Sequence, residues 1–376
     1  MSEMMKQAIL EGPGGPWTIK ETPIPHPGAG QLLVKIKRAS VCKQTDLNSI
    51  RALHPPHDHQ CWGQLPHHLR MWDNREDDPL KNFYPRKYLQ YDLEPFPTRM
   101  GHEISGEIVE VGPETPVEVN MGMFRRRRFT PGMRVCGSPI YGGYGEYIVL
   151  DMDSCSILPD NISWDQGSLA EPVGCVLPHV LNTVQPNDYT VILGQGALGS
   201  IATMLAKACG AKKVVVADPV ASKREFALKH GADIALDPYG KYNDGNFADA
   251  VWEATDGQGG NSVLECAGEP DSIPYIMYLA ADGGRIGQIG ACCVPVTVDW
   301  SYFHFRGLSL NKFSIGRAHG HGQAGGVFDA ALQFISDGKV KVEDLVTHRY
   351  KLDQIGEAFE EAEQNPEMVK AIIEFD

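Results

Sequence analysis

Two textures of apolar and polar residues divide this chain. Up to about residue 153 apolar side chains alternate with polar ones in short runs, "QLLVKIKRAS" (31–40), "SGEIVEVG" (105–112) and "GEYIVL" (145–150). Turns rich in Gly and Pro, such as "HPGAG" and "YGGYG", separate them. Period-two alternation bounded by turn residues predicts half-buried strands, and so a mostly β domain. From about residue 154 the apolar runs become continuous: "YTVILG", "AKKVVVAD", "NSVLECAG" and "GGRIGQIG". These predict strands buried on both faces of a parallel sheet, with "SIATMLAKACG" and "ASKREFALKHG" as crossover helices between them. Near the C-terminus "GGVFDAALQFISDG" and "LDQIGEAFEEAEQ" have helical periodicity, and "KAIIEFD" reads as a last strand. The fold class expected is α/β, a β domain joined to a doubly wound parallel sheet.

One stretch fits neither texture. Residues 50–98 carry many His, Pro, Trp and Tyr with little periodicity. A segment this long inside a compact domain is read as a lid or a subunit-contact excursion. His54, His57, His59, His67 and His68 are crowded in sequence, but crowding alone does not make them converge on a second metal.

Composition narrows the function classes. At 376 residues the chain is long enough for two domains with separate cores. No apolar run approaches the ~18–20 residues that cross a bilayer. The first residues, "MSEMMKQAIL", lack the apolar core of a secretory signal. A net charge of −14 argues against nucleic acid or anionic membrane as a partner. The basic run "RRRR" at 125–128 reads as a solvated turn or subunit contact, with an anion site as the alternative. Nine dispersed cysteines, with no C-x-x-C pair, fit reduced thiols in a cytoplasmic protein rather than a disulfide framework.

The strongest motif is "VILGQGALGS", a strand followed by Gly194-x-Gly196-x-x-Gly199 and a helix. Gly194 permits the tight turn, Gly196 lets backbone approach a pyrophosphate, and Gly199 lets helix pack on strand. The turn, with Ala197 and Leu198, presents free helix N-terminal N–H groups to the phosphates. The next strand ends in Asp218, nineteen residues after Gly199, where a carboxylate meets the adenosine ribose hydroxyls. It would repel a 2′-phosphate, which favours NAD over NADP; Lys223 and Arg224 nearby soften that preference. This predicts a Rossmann dinucleotide-binding unit over 154–315.

The first half then invites a second reading of "TRMGHEISGEIVEVG" (98–112). His102 and Glu103 either lead a strand or hold a metal. Upstream "ASVCKQTDLN" offers Cys42, with Thr45 and Asp46 close behind; downstream "SLAEPVGCVLPH" offers Glu171. Taken alone, Cys42 reads as a small buried hydrophobe. Cys, His and carboxylate drawn from three segments suit a catalytic zinc that keeps an open position.

These elements, Cys42, "GHE" with Gly106 and Val109, "LAEP", and the glycine turn with Asp218, occur in an order that resembles the zinc-dependent medium-chain alcohol dehydrogenase family. The "EP" element is similar to its polyol and sugar dehydrogenase branch. The resemblance implies a GroES-like, mostly β catalytic domain over 1–153 and a return to it over 316–376. It implies Cys42 and His102 as zinc ligands, with Glu103 binding zinc or lying behind it. Glu171 then supplies another oxygen ligand or holds the zinc-bound water. Oxidation of a secondary alcohol (a polyol, cyclitol or sugar hydroxyl) would follow, with hydride passing to NAD and Thr45 taking the alcohol proton. Three departures stand out: Lys43 and Gln44 both precede Thr45, which makes Gln44 a competitor for its role; Asn48 stands where a relay histidine is often found; and the four-cysteine lobe for a structural zinc is missing. One zinc per chain and a homo-oligomer are expected. Two other classes stay open, a metal-free reductase of the same fold and a non-catalytic dinucleotide-binding protein. Glu265 and Cys266, at a strand end near the nicotinamide, receive no chemical role.

Overall fold

In this computed structural model the described residues are 3–12, 15–43, 46, 97–113, 119–120, 126–127, 129–139, 141–242, 246–292, 296–312 and 324–376. Gln44, Thr45, Asn48, the 50–98 stretch before residue 97 and the expected return point at 316 lie outside them. Of the arginine run, only the backbone of Arg126 and Arg127 is described.

Strands β1 (Met4–Leu10) and β2 (Trp17–Pro23) pair antiparallel. The alternating run at 31–40 becomes β3 (Gln31–Ser40), with Leu32, Val34 and Ile36 fully buried. "EISGEIVEV" becomes β4 (Glu103–Val111), antiparallel to β3. β5 (Val119–Asn120) and β6 (Arg126–Arg127) form a short pair of their own. β7 (Arg134–Gly137), β8 (Tyr147–Asp151) and β9 (Cys155–Ile157) complete the N-terminal contribution. One edge of β3 is shared end to end: β8 covers Gln31–Lys35, and a strand from the far end of the chain covers Arg38–Ser40.

After helices α1 (Trp164–Ser168) and α2 (Ala170–Thr183), the texture change is realised as a parallel sheet. Its strands are β10 (Tyr189–Leu193), β11 (Lys213–Ala217), β12 (Ile234–Leu236), β13 (Gly260–Glu265), β14 (Ala280–Gln288) and β15 (Ser309–Asn311). They lie in the order β12-β11-β10-β13-β14-β15. Helices α3 (Ala197–Ala208), α4 (Ala221–Lys229), α5 (Phe247–Ala254), α6 (Ile276–Leu279) and α7 (Trp300–Phe305) intervene. Side chains along β10 and β11 divide by parity: Ile192, Val214 and Val216 join the core beneath α2 and α3, while Val191, Val215 and Ala217 join the core beneath α5 and α6. Burial on both faces is why these strands read as unbroken apolar runs. Each fully buried Val or Ile contributes roughly 1.5–3 kcal/mol.

The chain then returns. α8 (Ala324–Ser336) packs on α2, where an added Cβ at Gly174 would sit 3.1 Å from Phe328 and Val327. β16 (Val346–Lys351), α9 (Ile355–Gln364) and β17 (Lys370–Glu374) follow, and β17 is the strand that takes the end of β3. The first sheet is therefore seven-stranded, with the path β16-β17-β3-β4-β7-β9 and β8 beside β3.

A charge network fastens α1 to this sheet. Asp165 accepts from Arg38 Nε at 2.9 Å and Arg349 Nη2 at 2.5 Å, joining α1 to β3 and β16. Burial alone would raise the Asp165 carboxyl, but hydrogen bonds and charge from Arg349 and then Arg38 hold it below its ordinary value. A depressed native pKa means stabilisation present above the unfolded value of about 3.9 and lost as pH falls through the native one. Asp165→Asn should cost about 1 kcal/mol at pH 7, near the upper end for partly exposed ion pairs. Urea denaturation of both proteins should show that gap closing as pH approaches 3; a constant gap would exclude the electrostatic account.

Candidate metal and dinucleotide site

The β3–β4 ladder sets Ser40 opposite Glu103, so the exit of β3 lies beside the start of β4. Cys42 and His102 meet for that reason. Gly101, the residue before His102, has φ +96°, and an added Cβ there would be 2.9 Å from the Tyr144 backbone nitrogen. Only glycine combines that backbone with that clearance. Ligand atoms of Cys42, His102 and Glu103 all lie within 4.8 Å of one another. Thiol, imidazole and carboxylate form a donor set of intermediate softness that suits zinc.

What surrounds the trio strengthens the fit. His102 Nδ1 faces Asp46 Oδ1 at 3.1 Å, and Tyr144 donates its hydroxyl to Asp46 Oδ2 at 2.5 Å. A carboxylate behind one ring nitrogen fixes the imidazole and leaves the other for a metal. Burial alone would lower the His102 pKa, but Asp46, and then Cys42, hold it well above the ordinary value. A metal taken up there must displace that proton. Burial, and then Asp46, push the Tyr144 phenol up, so it stays a donor.

Glu103 is anchored on its other side. Lys370 Nζ lies 2.7 Å from Oε1 and 2.5 Å from Oε2, and the Ser40 hydroxyl donates to Oε2. Glu103 is 1% exposed and Lys370 4%. Burial is the largest influence on both groups, and their mutual attraction opposes it in both; the ammonium ends above its ordinary range. Glu171, in the first turn of α2, lies outside the close trio. Its charge still acts on Glu103, and its Oε1 accepts from Cys175 Sγ at 3.2 Å.

At the other site, the glycine turn behaves as its spacing predicts. Gly194 has φ +85°, and a Cβ at Gly199 would fall 1.8 Å from the Gly194 carbonyl oxygen. At Gly196, by contrast, an added Cβ meets nothing within 4 Å. That open space lies at the N-cap of α3, whose first turn receives no side-chain cap. A pyrophosphate could fill it and accept the free N–H groups of Ala197 and Leu198. Asp218 directly follows β11, with Oδ2 accepting from Gln195 N at 2.7 Å and Oδ1 from Val220 N at 2.8 Å. Lys223 is half-buried on α4. Glu265 binds the next loop, accepting from Ala267 N, Gly268 N and Ser272 Oγ through Oε1.

Sequence reasoning missed Asp46 as the His102 partner, and it missed Tyr144, Lys370 and Cys175. Asp46 lies only four residues after Cys42, but nothing local says where its side chain turns. Lys370 is 267 positions from Glu103 and has no local signal at all. Thr45 and Gln44, the candidates for the proton step, lie outside the described residues. Among the described residues no helix is long and apolar enough to cross a membrane.

Comparison with known proteins bears on both sites. Residues 77–161 match the family described as alcohol dehydrogenase GroES-like domain, and residues 197–337 the family described as zinc-binding dehydrogenase. L-threonine 3-dehydrogenase from Pyrococcus horikoshii is 27% identical over 378 aligned positions, which cover 96% of each chain. Among solved structures, an Escherichia coli oxidoreductase/dehydrogenase of unknown specificity superposes with TM-score 0.77 at 21% identity, covering 100% of both chains. The 2R,3R-butanediol dehydrogenase from Bacillus subtilis gives 0.75 at 22% identity, covering 99% of this chain and 100% of that one. At such identities the two structures establish a shared fold and nothing finer. The two family matches fall in order on the domains that carry the metal trio and the glycine turn, and with the full-length dehydrogenase relative they show that this chain belongs to the zinc-dependent medium-chain alcohol dehydrogenase family.

Proposed function

We propose that this protein oxidises a secondary alcohol, of the polyol, cyclitol or sugar class, to a ketone with NAD as hydride acceptor. The observation that carries the reading is the trio of Cys42, His102 and Glu103, whose ligand atoms lie within 4.8 Å. One zinc would be held by Cys42 and His102, with Glu103 and Glu171 the carboxylates able to complete the site. Bound there, zinc supplies Lewis-acid polarisation of the substrate oxygen and the nicotinamide supplies the hydride acceptor. The chain's own part is to hold these groups. Asp46 orients His102, Tyr144 orients Asp46, and Lys370 with Ser40 orients Glu103. Thr45 remains the first candidate for the proton step, accepting the alcohol proton at its hydroxyl oxygen while passing its own on through the cofactor ribose, with Gln44 as the alternative. The name of one relative, L-threonine 3-dehydrogenase, supports a secondary hydroxyl as the group oxidised; the polyol, cyclitol or sugar class rests on the "EP" element at Glu171.

Purified protein should contain about one zinc per chain and reduce NAD with members of a polyol and sugar-alcohol panel. Cys42→Ser should lose the metal and lower kcat/KM roughly 10³-fold, the equivalent of several kcal/mol of transition-state stabilisation. Elemental analysis with absorbance at 340 nm checks both. A metal-free parent that reduces activated double bonds instead would replace this reading with the reductase one.

Preference for NAD rests on Asp218 and on what Arg224 does. Its guanidinium donates from Nη1 to the carbonyl oxygens of Asp218 and Pro219 at 2.7 and 2.9 Å and lies 3.6 Å from Asp237. Those contacts pin its Nη1 to the backbone at the end of β11. The parent should favour NAD over NADP by more than about tenfold in kcat/KM, and Asp218→Ala should shrink that ratio at least tenfold. Equal use of both cofactors by the parent would sink the proposal.

A homo-oligomer is part of the same reading. β15 is the outer strand of the parallel sheet among the described residues, and its Leu310 is exposed, as are Trp300 and Phe305 at the two ends of the preceding helix α7. An open edge can pair with its own copy across a two-fold axis. Light scattering should give a dimer or larger for the parent and a smaller species for Leu310→Lys. A monomeric parent removes the proposal.

A further inference from the structure

Lys370 raises a question the reaction does not answer. It stands on the last strand, far in sequence from every candidate ligand, yet it is buried against the metal trio. A buried ion pair is an expensive way to gain stability, since desolvation offsets much of the attraction. Its geometry suggests another reason for it to be there.

The ammonium reaches both segments that present metal ligands. On one side it contacts both Glu103 oxygens, one residue after His102. On the other it donates to the Val41 carbonyl oxygen at 3.2 Å, one residue before Cys42, and lies 3.5 Å from Ser40 Oγ. The backbone repeats the connection: Val41 N donates to Ala371 O at 2.9 Å, and Ile372 pairs with Ser40. Ser40, 0% exposed, donates in turn to Glu103 Oε2. A carboxylate offers about four lone-pair directions. Lys370 and Ser40 use three of them, so Glu103 can turn only its Oε1 side toward a metal.

We propose that Lys370 is a positioning residue of the metal centre, a single ammonium that locks the Cys42 segment and the His102–Glu103 segment into one rigid donor set. The inference rests on the metal-centre reading above and deepens it. It predicts that the ammonium acts on how tightly and in what geometry a metal is held, and not only on whether the chain folds. Removing a partner that orients a ligand typically costs about 10–100-fold in metal affinity.

The test uses full-length zinc-loaded protein and its cobalt-substituted form. Zinc release to a chromophoric chelator should be about 10–100-fold faster from Lys370→Met than from the parent. Lys370→Arg, which keeps the charge and the donors, should stay within about threefold. Ser40→Ala, which removes one anchor and leaves the ion pair, should fall between them. The visible spectrum of the cobalt form should shift in Lys370→Met and Ser40→Ala and return in Lys370→Arg, a signature that a purely structural role would not move. Parental release and spectrum in a folded Lys370→Met protein overturn the proposal. Should that variant fail to fold, parental behaviour of Ser40→Ala overturns it equally. A parent that takes up no zinc overturns the metal-centre reading itself, and this inference with it; a zinc-bearing parent with unaltered variants overturns the role of Lys370 alone.

Discussion

The register between β3 and β4 is the constraint on which the site depends. Side chains on a strand alternate faces, so a slip of one residue would turn Glu103 away from Ser40 and draw His102 away from Cys42. The ladder carries two irregularities, one between Leu33 and Val34 and one between Ile36 and Arg38. The first leaves Val109 extra on β4, and the second leaves Lys37 extra on β3. They offset, so the ligand end of the ladder recovers the register of the far end. Between them the strands cross closely, where an added Cβ at Gly106 would come 2.3 Å from the Lys35 carbonyl oxygen. Gly106 is thus tied to the metal site through the packing of the ladder, without touching a ligand.

The dinucleotide end obeys a different rule, close approach of backbone to backbone. Gly199 has no room for a side chain because the α3 helix presses on the turn at Gly194. Gly196 has ample room, which matters only for something that must enter. Between the two sites runs α2, with Glu171 in its first turn near the metal trio and its buried face packed beneath the parallel sheet. That helix belongs to the core beneath the parallel sheet while its first turn carries Glu171, so one rigid element links the two regions.

Local chemistry was the part legible in the sequence. The glycine turn, Asp218 and the strands around them follow from spacing and apolar periodicity, because a βαβ unit is built from neighbours in the chain. "KAIIEFD" could be read as a strand but not as the strand beside Ser40, and with that pairing went Lys370. Tyr144 lies in a segment readable as a turn, and nothing there signals a hydroxyl aimed at Asp46. Cys175 is one helical turn beyond Glu171, a spacing that puts both on one face of α2, and that signal was available. The remaining contacts depend on tertiary pairing across long loops, which periodicity does not encode.

Charge explains why the site is built from polar groups that a stable core would avoid. Asp46, Glu103 and Glu171 are all buried carboxylates, and Lys370 is the buried cation set against Glu103. An isolated carboxylate in such surroundings is costly unless something positive or donating meets it. Tyr144 and Ser40 meet two of them with hydroxyl donors. The same carboxylates reach His102: burial would lower its pKa, but Asp46, and then Cys42, raise it well above the ordinary value. A donor set ringed by carboxylates offers a cation the charge that an apolar pocket would not, and Lys370 and Asp46 are the groups that brace it from behind.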